Sequence, residues 1–229
     1  MQARACCLCS QIDGSPANDL VARLLPAVAY RRRVIMESDH FAVIPSLGSL
    51  SEGHILVCPK QHIRSISSVA SEEEEQFLDV KDRVQMLLTW EYRQPIHWFE
   101  HGMVESESKI SCTVEHAHLH ALPLAVDIVA RLEDFERIGY RATPSEVKAC
   151  TRGGEYLYYE SPFGESLLAH NDDGRFESQW FRKVFAEASG CPTLCDWRES
   201  PRPEIADYIF EKLIYLASAS GYEMQPDDR

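Results

Sequence analysis

Nowhere in these 229 residues does an apolar stretch run on for the roughly 20 residues that crossing a bilayer requires. The 45% of hydrophobic residues are interrupted by charge throughout. Near the first residue there is no basic segment leading into an apolar one, so neither a membrane association nor a secretory signal is expected, and a cytoplasmic location is the expectation. Positive charge is in short supply. Lys and Arg number 23 against 36 Asp and Glu, a formal charge of −13. Such a surface repels phosphate backbones, which argues against a nucleic-acid partner and leaves any anionic ligand to be met by a local site. Internal repeats and low-complexity tracts are also lacking. Cysteine is not scarce: Cys6, Cys7, Cys9, Cys58, Cys112, Cys150, Cys191 and Cys195 make eight. In a chain of this length without a secretory signal they are expected to stay reduced, which leaves metal ligation or burial as small apolar groups.

Histidine is concentrated rather than frequent. "EHAHLHALPL" puts His116, His118 and His120 on alternate positions. On a strand, alternate side chains share a face, so the spacing predicts three imidazoles on one side and Ala117, Leu119 and Ala121 on the other. Neutral imidazole can attack phosphorus, ligate a metal or shuttle a proton near neutral pH. Rings spaced in this way, about 6.5 to 7 Å apart at the backbone, can surround one phosphate or one metal ion.

Around this segment, "RRVIMES", "FAVIPS" and "HILVCP" read as successive antiparallel strands. A helix is expected over 71–92, where Ser71 and Glu74 form a capping box and Phe77, Val80, Val84, Leu87 and Leu88 make one apolar stripe. Strands are expected over 95–102 and 112–123, and a short helix within 15–28. Further on, "VDIVARLEDFERIG" is amphipathic, 142–154 is a loop or short helix, and "EYLYYESPFGESLLAH" is a hairpin turning at "SPFG". Helices then follow over 176–189 and 203–218. This pattern predicts an α+β fold with a mainly antiparallel sheet and one long helix, divided into a first domain over 1–125 and a C-terminal α+β extension over 126–229.

"GHILVCPKQH" carries two more histidines, His54 and His62, flanking a strand. With "CCLC" before it and "HAHLHALP" after it, the order resembles the histidine-triad (HIT) superfamily of nucleotide hydrolases and transferases over about residues 6–123. The resemblance implies a HIT-like fold and a nucleotide substrate. His118 would be the nucleophile that attacks the α-phosphorus, His120 would bind non-bridging oxygens, His54 would pack beside the nucleophile, and Thr113 would donate to phosphate. The uridylyltransferase branch usually ends its motif in glutamine, so the third histidine favours hydrolysis. A transferase or phosphorylase using the same intermediate, and a non-catalytic nucleotide-binding module, are the alternatives. The resemblance also implies a structural zinc on Cys6, Cys9, His62 and His116, with Cys7 as a rival thiol, and a homodimer. Magnesium would accompany only a polyphosphate substrate. Two positions depart from the family's pattern. Ser46 stands where an acid commonly holds the ribose, and "FEHG" replaces an asparagine, making His101 or Glu100 candidates for its contact. His40, His97 and His170 read as surface or boundary residues. Gln179, Arg182 and Lys183 share a helix on which Arg182 could reach a phosphate, although a solvated face packed through Trp180, Phe181, Val184 and Phe185 is the preferred reading.

Overall fold

The computed structural model describes residues 6–104 and 114–219. Eight strands form one sheet: β1 (Met36–Glu37), β2 (Phe41–Pro45), β3 (Ile55–Pro59), β4 (Ile96–Met103), β5 (Leu119–Pro123), β6 (Glu136–Tyr140), β7 (Glu155–Glu160) and β8 (Glu165–His170). Their spatial order is β1-β2-β3-β5-β4-β7-β8-β6, and every pairing is antiparallel. The α+β class and the antiparallel sheet are therefore as the sequence implies. The helices are α1 (Cys7–Asp13), α2 (Leu20–Leu24), α3 (Glu74–Tyr92), α4 (Pro144–Cys150), α5 (Trp180–Ala188) and α6 (Pro203–Ala219). No helix among the described residues is long and apolar enough to cross a membrane.

Strand alternation sorts the core into two faces. Ile96 and Trp98 of β4, Leu119 and Ala121 of β5 and Tyr156 and Tyr158 of β7 pack with Phe77, Val80, Val84 and Leu88 of α3 and with Ile209 and Leu213 of α6. The intervening Phe99, Leu122, Leu157 and Tyr159 pack instead with Phe181, Val184 and Phe185 of α5. Nearer β1, that second face is covered by α1, whose Leu8 and Ile12 meet Ala42, Ile44, Leu56 and Cys58. A gap between α1 and α5 is left over the ends of β3, β4 and β5. The sheet runs on across residue 125, because β4 pairs with β5 on one side and with β7 on the other, from Trp98↔Glu160 to Met103↔Glu155. Its two edges are the two-residue β1 and the bulged β6.

Several local expectations need correction. The strand of the triad begins at Leu119, so only His120 belongs to it. Upstream, the Ala117 N–H donates to Ile63 O at 2.7 Å, which ties residues 116–118 to the loop after β3 rather than to the ladder. Ser71 does not cap α3. It opens a 3₁₀ turn over Ser71–Glu73, and Glu74 instead accepts from the Ser145 N–H at 2.7 Å. A true capping box forms on α4, between Thr143 and Glu146. Most of "VDIVARLEDFERIG" is extended and irregular, ending in β6. His97 is buried, bonded to the Tyr159 hydroxyl at 2.9 Å and Leu124 O at 3.0 Å.

Among the described residues, the buried cations Arg33 and Lys81 are paired with carboxylates. Arg33, wholly enclosed, meets Asp19 and Asp207 at 3.1 Å each and so links α2 to α6. Lys81 of α3 pairs with Glu160 at 2.5 Å. Glu100 differs. It lies on the α3 side of β4, accepts from the Ile66 N–H at 2.8 Å and from the Tyr156 hydroxyl, and has burial push its carboxyl up to about 7. Folding thus favours the protonated acid. The stability it adds is complete below pH 4.5, the ordinary carboxyl value, and is lost as pH rises through 7, a change of about 3 kcal/mol. Glu100→Gln is expected to flatten that part of the stability profile, which urea melts between pH 4.5 and 8 would read.

Candidate active site

The gap between α1 and α5 is a pocket. Its floor comes from β3, β4, β5 and the segment leading into β5: Leu56, Phe99, His101, His118 and His120. Hydrogen bonds fix the proton on each imidazole. The Leu50 N–H donates to His54 Nδ1 at 3.2 Å, so the His54 proton lies on Nε2, which donates to His120 Nδ1 at 2.8 Å. An imidazole that accepts at one nitrogen is neutral, so both rings are uncharged, and His120 keeps its proton on Nε2. Phe99 stacks on His120, with ring centroids 4.4 Å apart and planes 9° from parallel. His118 Nδ1–H donates to His116 O at 2.7 Å, which leaves the lone pair on Nε2. Burial pushes His118 down to about 4 and holds His54 and His120 well below the usual imidazole range, the Arg182 charge adding to the effect on all three. The site can therefore present one nucleophilic nitrogen beside one N–H donor near neutral pH.

A second cluster lies next to it. Cys6, Cys9, His62 and His116 bring four ligand atoms within 4.8 Å of one another. Cys6 Sγ stands 3.6 Å from His116 Nδ1, and Cys9 Sγ stands 3.3 Å from both His62 Nδ1 and His116 Nδ1. A tetrahedral zinc with two thiolates and two imidazoles has ligand-to-ligand edges of about 3.3 to 3.8 Å, so the set fits a metal ion. His116 Nε2–H donates to Pro59 O at 2.8 Å, which leaves Nδ1 free to ligate. Burial and the neighbouring Cys6 push Cys9 up to about 12, so its thiolate needs a cation beside it. Cys7 lines the pocket instead and takes no part in the cluster.

Of the other residues singled out in the sequence, Ser46 and His101 line the pocket. His101 Nε2 is bonded to Glu155, whose carboxylate also accepts from Asn171 Nδ2 at 2.9 Å. Glu100 points to the opposite face of the sheet, and Thr113 lies outside the described residues. The far wall of the pocket comes from Gln179, Trp180, Phe181, Arg182 and Trp197. Arg182, read as part of a solvated face, is only 5% exposed.

A model of the HIT domain matches residues 29–126. The chain carries a HIT domain. His54, His62, His101 and the triad lie inside it, whereas Cys6 and Cys9 precede it and the Gln179–Arg182 wall follows it. The chain is similar to the zinc finger CCCH domain-containing protein 64 of Arabidopsis thaliana, with 24% identity over 191 residues, spanning 76% of this chain and 30% of that protein. It thus spans less than a third of that relative's length. Similar solved structures include a HIT family protein from Bacillus anthracis, with a TM-score of 0.39 and 23% identity over 53% of this chain and 74% of that one. A HIT family hydrolase from Legionella pneumophila has a TM-score of 0.35 and 20% identity over 54% of this chain and 96% of that one.

Proposed function

We propose that this HIT domain hydrolyses a nucleoside monophosphate conjugate at its α-phosphorus. The substrate class is a phosphoanhydride, phosphoester or phosphoramidate of a nucleotide, with adenosine as the first base to test. His118 Nε2 attacks phosphorus, a nitrogen–phosphorus bond forms, and the leaving group departs with the electrons of its bond to phosphorus. Positive charge then resides on the His118 ring, and the His116 carbonyl, already holding Nδ1–H, stabilises it. His120 Nε2–H donates to a non-bridging oxygen, and His54 fixes the tautomer that makes this possible. Water attacks phosphorus in the second step, releases the nucleoside monophosphate and restores the lone pair.

Thr113 is a further proposed donor to the phosphate, and Ser46 and His101 are the proposed contacts to the rest of the nucleotide, with Trp180 and Trp197 offering aromatic surface to a base. Zinc is the metal proposed for Cys6, Cys9, His62 and His116, in a structural role. Magnesium would enter only with a polyphosphate, and a homodimer in the cytoplasm is part of the same reading. The observation that carries the proposal is the His118 bond to its neighbour's carbonyl at 2.7 Å, which turns the reactive nitrogen's lone pair outward. Dinucleoside polyphosphates, nucleoside phosphoramidates and nucleotide sugars, each incubated with the metal-loaded protein, provide the test. At least one is expected to release a nucleoside monophosphate with water as acceptor. Release only when phosphate or a sugar phosphate is supplied would make the protein a transferase, and no release from any class would end the enzymatic reading.

A further inference from the structure

A cation strengthens the binding of a phosphate through charge-assisted hydrogen bonds, and the triad does not supply one. His54 and His120 are held neutral by the hydrogen bonds they accept, and His118 needs its lone pair to react. Among the described residues lining the pocket there is one Lys or Arg, Arg182, and no Asp or Glu. In a chain of charge −13, a pocket wall without carboxylates is itself a selection for an anion.

The surroundings of Arg182 separate it from an ordinary structural arginine. Its Nε donates to Cys195 O at 3.0 Å, and its Nη2 donates to Leu194 O at 3.1 Å and Gly48 O at 2.5 Å. Those three carbonyls lock the guanidinium in place but carry no full charge. No carboxylate of the described residues lies within ion-pair distance of it, and the nearby Asp196 is taken up by Arg198 at 3.0 Å. Arg33, the other deeply buried arginine, is answered by two aspartates. Burying a cation without an anion is costly, so a site that keeps one leaves a place for an anionic group from outside. Nη1 has no bond to any described residue, and it is not among the polar atoms sealed from solvent. Arg182 is one of the residues that line the pocket, together with His118 and His120.

We propose that Arg182 is the phosphate-binding cation of this site, its Nη1 edge donating to the phosphoryl oxygens held at His118, so that α5 completes the site from outside the matched HIT segment. The assignment rests on the nucleotide reading above. It makes Arg182 a substrate-contacting residue, with the Leu194–Cys195 segment and the loop at Gly48 as its mount. Gln179 braces that mount, its Oε1 accepting from the Trp197 N–H at 3.1 Å.

Calorimetric titration of the full, metal-loaded chain tests it. The four nucleoside 5′-monophosphates are titrated first, and the tightest is then compared with its own nucleoside in wild type, Arg182→Met and Arg182→Lys. The proposal expects Arg182→Met to weaken the monophosphate by about 30-fold, the range of a lost charge-assisted hydrogen bond, while the nucleoside changes by less than about threefold. Lysine, which keeps the charge but not the planar edge, should fall between. The readout is the ratio of monophosphate to nucleoside affinity, so it survives a modest loss of stability and is taken from whichever variant melts cooperatively. An unchanged ratio, or equal weakening of both ligands, would overturn the proposal and leave Arg182 a purely structural tie. Failure of wild type to bind any monophosphate would instead refute the nucleotide reading itself.

Discussion

His118→Ala should reduce turnover by about 10⁴-fold or more while the protein still folds, because removing a covalent nucleophile removes the whole two-step route. The ring is not a structural support. Among the described residues its hydrogen bond runs to the carbonyl of His116, two residues away, whereas the pocket floor is held by the stack of Phe99 on His120 and by the β4 to β5 ladder. The variant should therefore melt close to wild type and still bind the nucleoside monophosphate product. His120→Ala should act differently. It deletes an oxyanion donor and leaves His54 Nε2–H without its acceptor in a buried place, so both activity and stability are expected to fall. Turnover, thermal melts and product titration on the two variants separate these cases. A His118→Ala protein that retains more than about one per cent of wild-type turnover contradicts the assignment.

Loss of the metal should have the second large effect, and it should reach the nucleophile. In the proposed zinc site His116 would ligate through its side chain, and its own carbonyl holds His118 Nδ1–H, so the metal centre and the proposed nucleophile would share one residue. A metal there would also pin α1, which forms one wall of the pocket through Cys7, Leu8 and Gln11. One zinc per chain is expected by elemental analysis. Cys9→Ala should abolish it, because Cys9 is the ligand that lies against both imidazoles. The resulting loss of stability is about 4 kcal/mol where free zinc exceeds the dissociation constant a thousandfold. Turnover should fall in parallel, since the 116–118 segment, left with its bonds to Pro59 O and Ile63 O alone, holds the lone pair of Nε2 in place less firmly. Full turnover in a protein shown to be free of metal would uncouple the two centres.

How far these features could be read from residues alone varies with the range of the contacts that make them. The α3 stripe is legible because Phe77, Val80, Val84 and Leu88 repeat at helical spacing, and all four are buried. The β7 to β8 hairpin is legible because a turn-forming "SPFG" separates two apolar runs. The triad is legible through its alternate spacing, and the four metal-ligand candidates implied by the family resemblance do converge. Three features resisted reading. Lys81 sits buried inside an apolar stripe because Glu160, 79 residues away, supplies its counter-charge. The triad's strand starts late because residues 116–118 bond to the loop at Ile63 and to each other rather than to a neighbouring strand. Arg182 reads as solvated because its enclosure comes from carbonyls at Gly48, Leu194 and Cys195, one of them 134 residues distant, which no local pattern encodes. The pairing of β4 with β7, which brings the later half of the chain over the pocket, is of the same long-range kind.

Phosphorus bonded to a single imidazole nitrogen is the step on which all else depends. The most direct measurement is rapid quenching of wild type with a turned-over substrate, followed by intact mass and peptide mapping under alkaline conditions that preserve phosphoramidates. The account predicts a transient gain equal to one nucleotidyl group, confined to the peptide that contains His118 and missing in His118→Ala. Turnover with no such species at any quench time, or with the group on another residue, would contradict it.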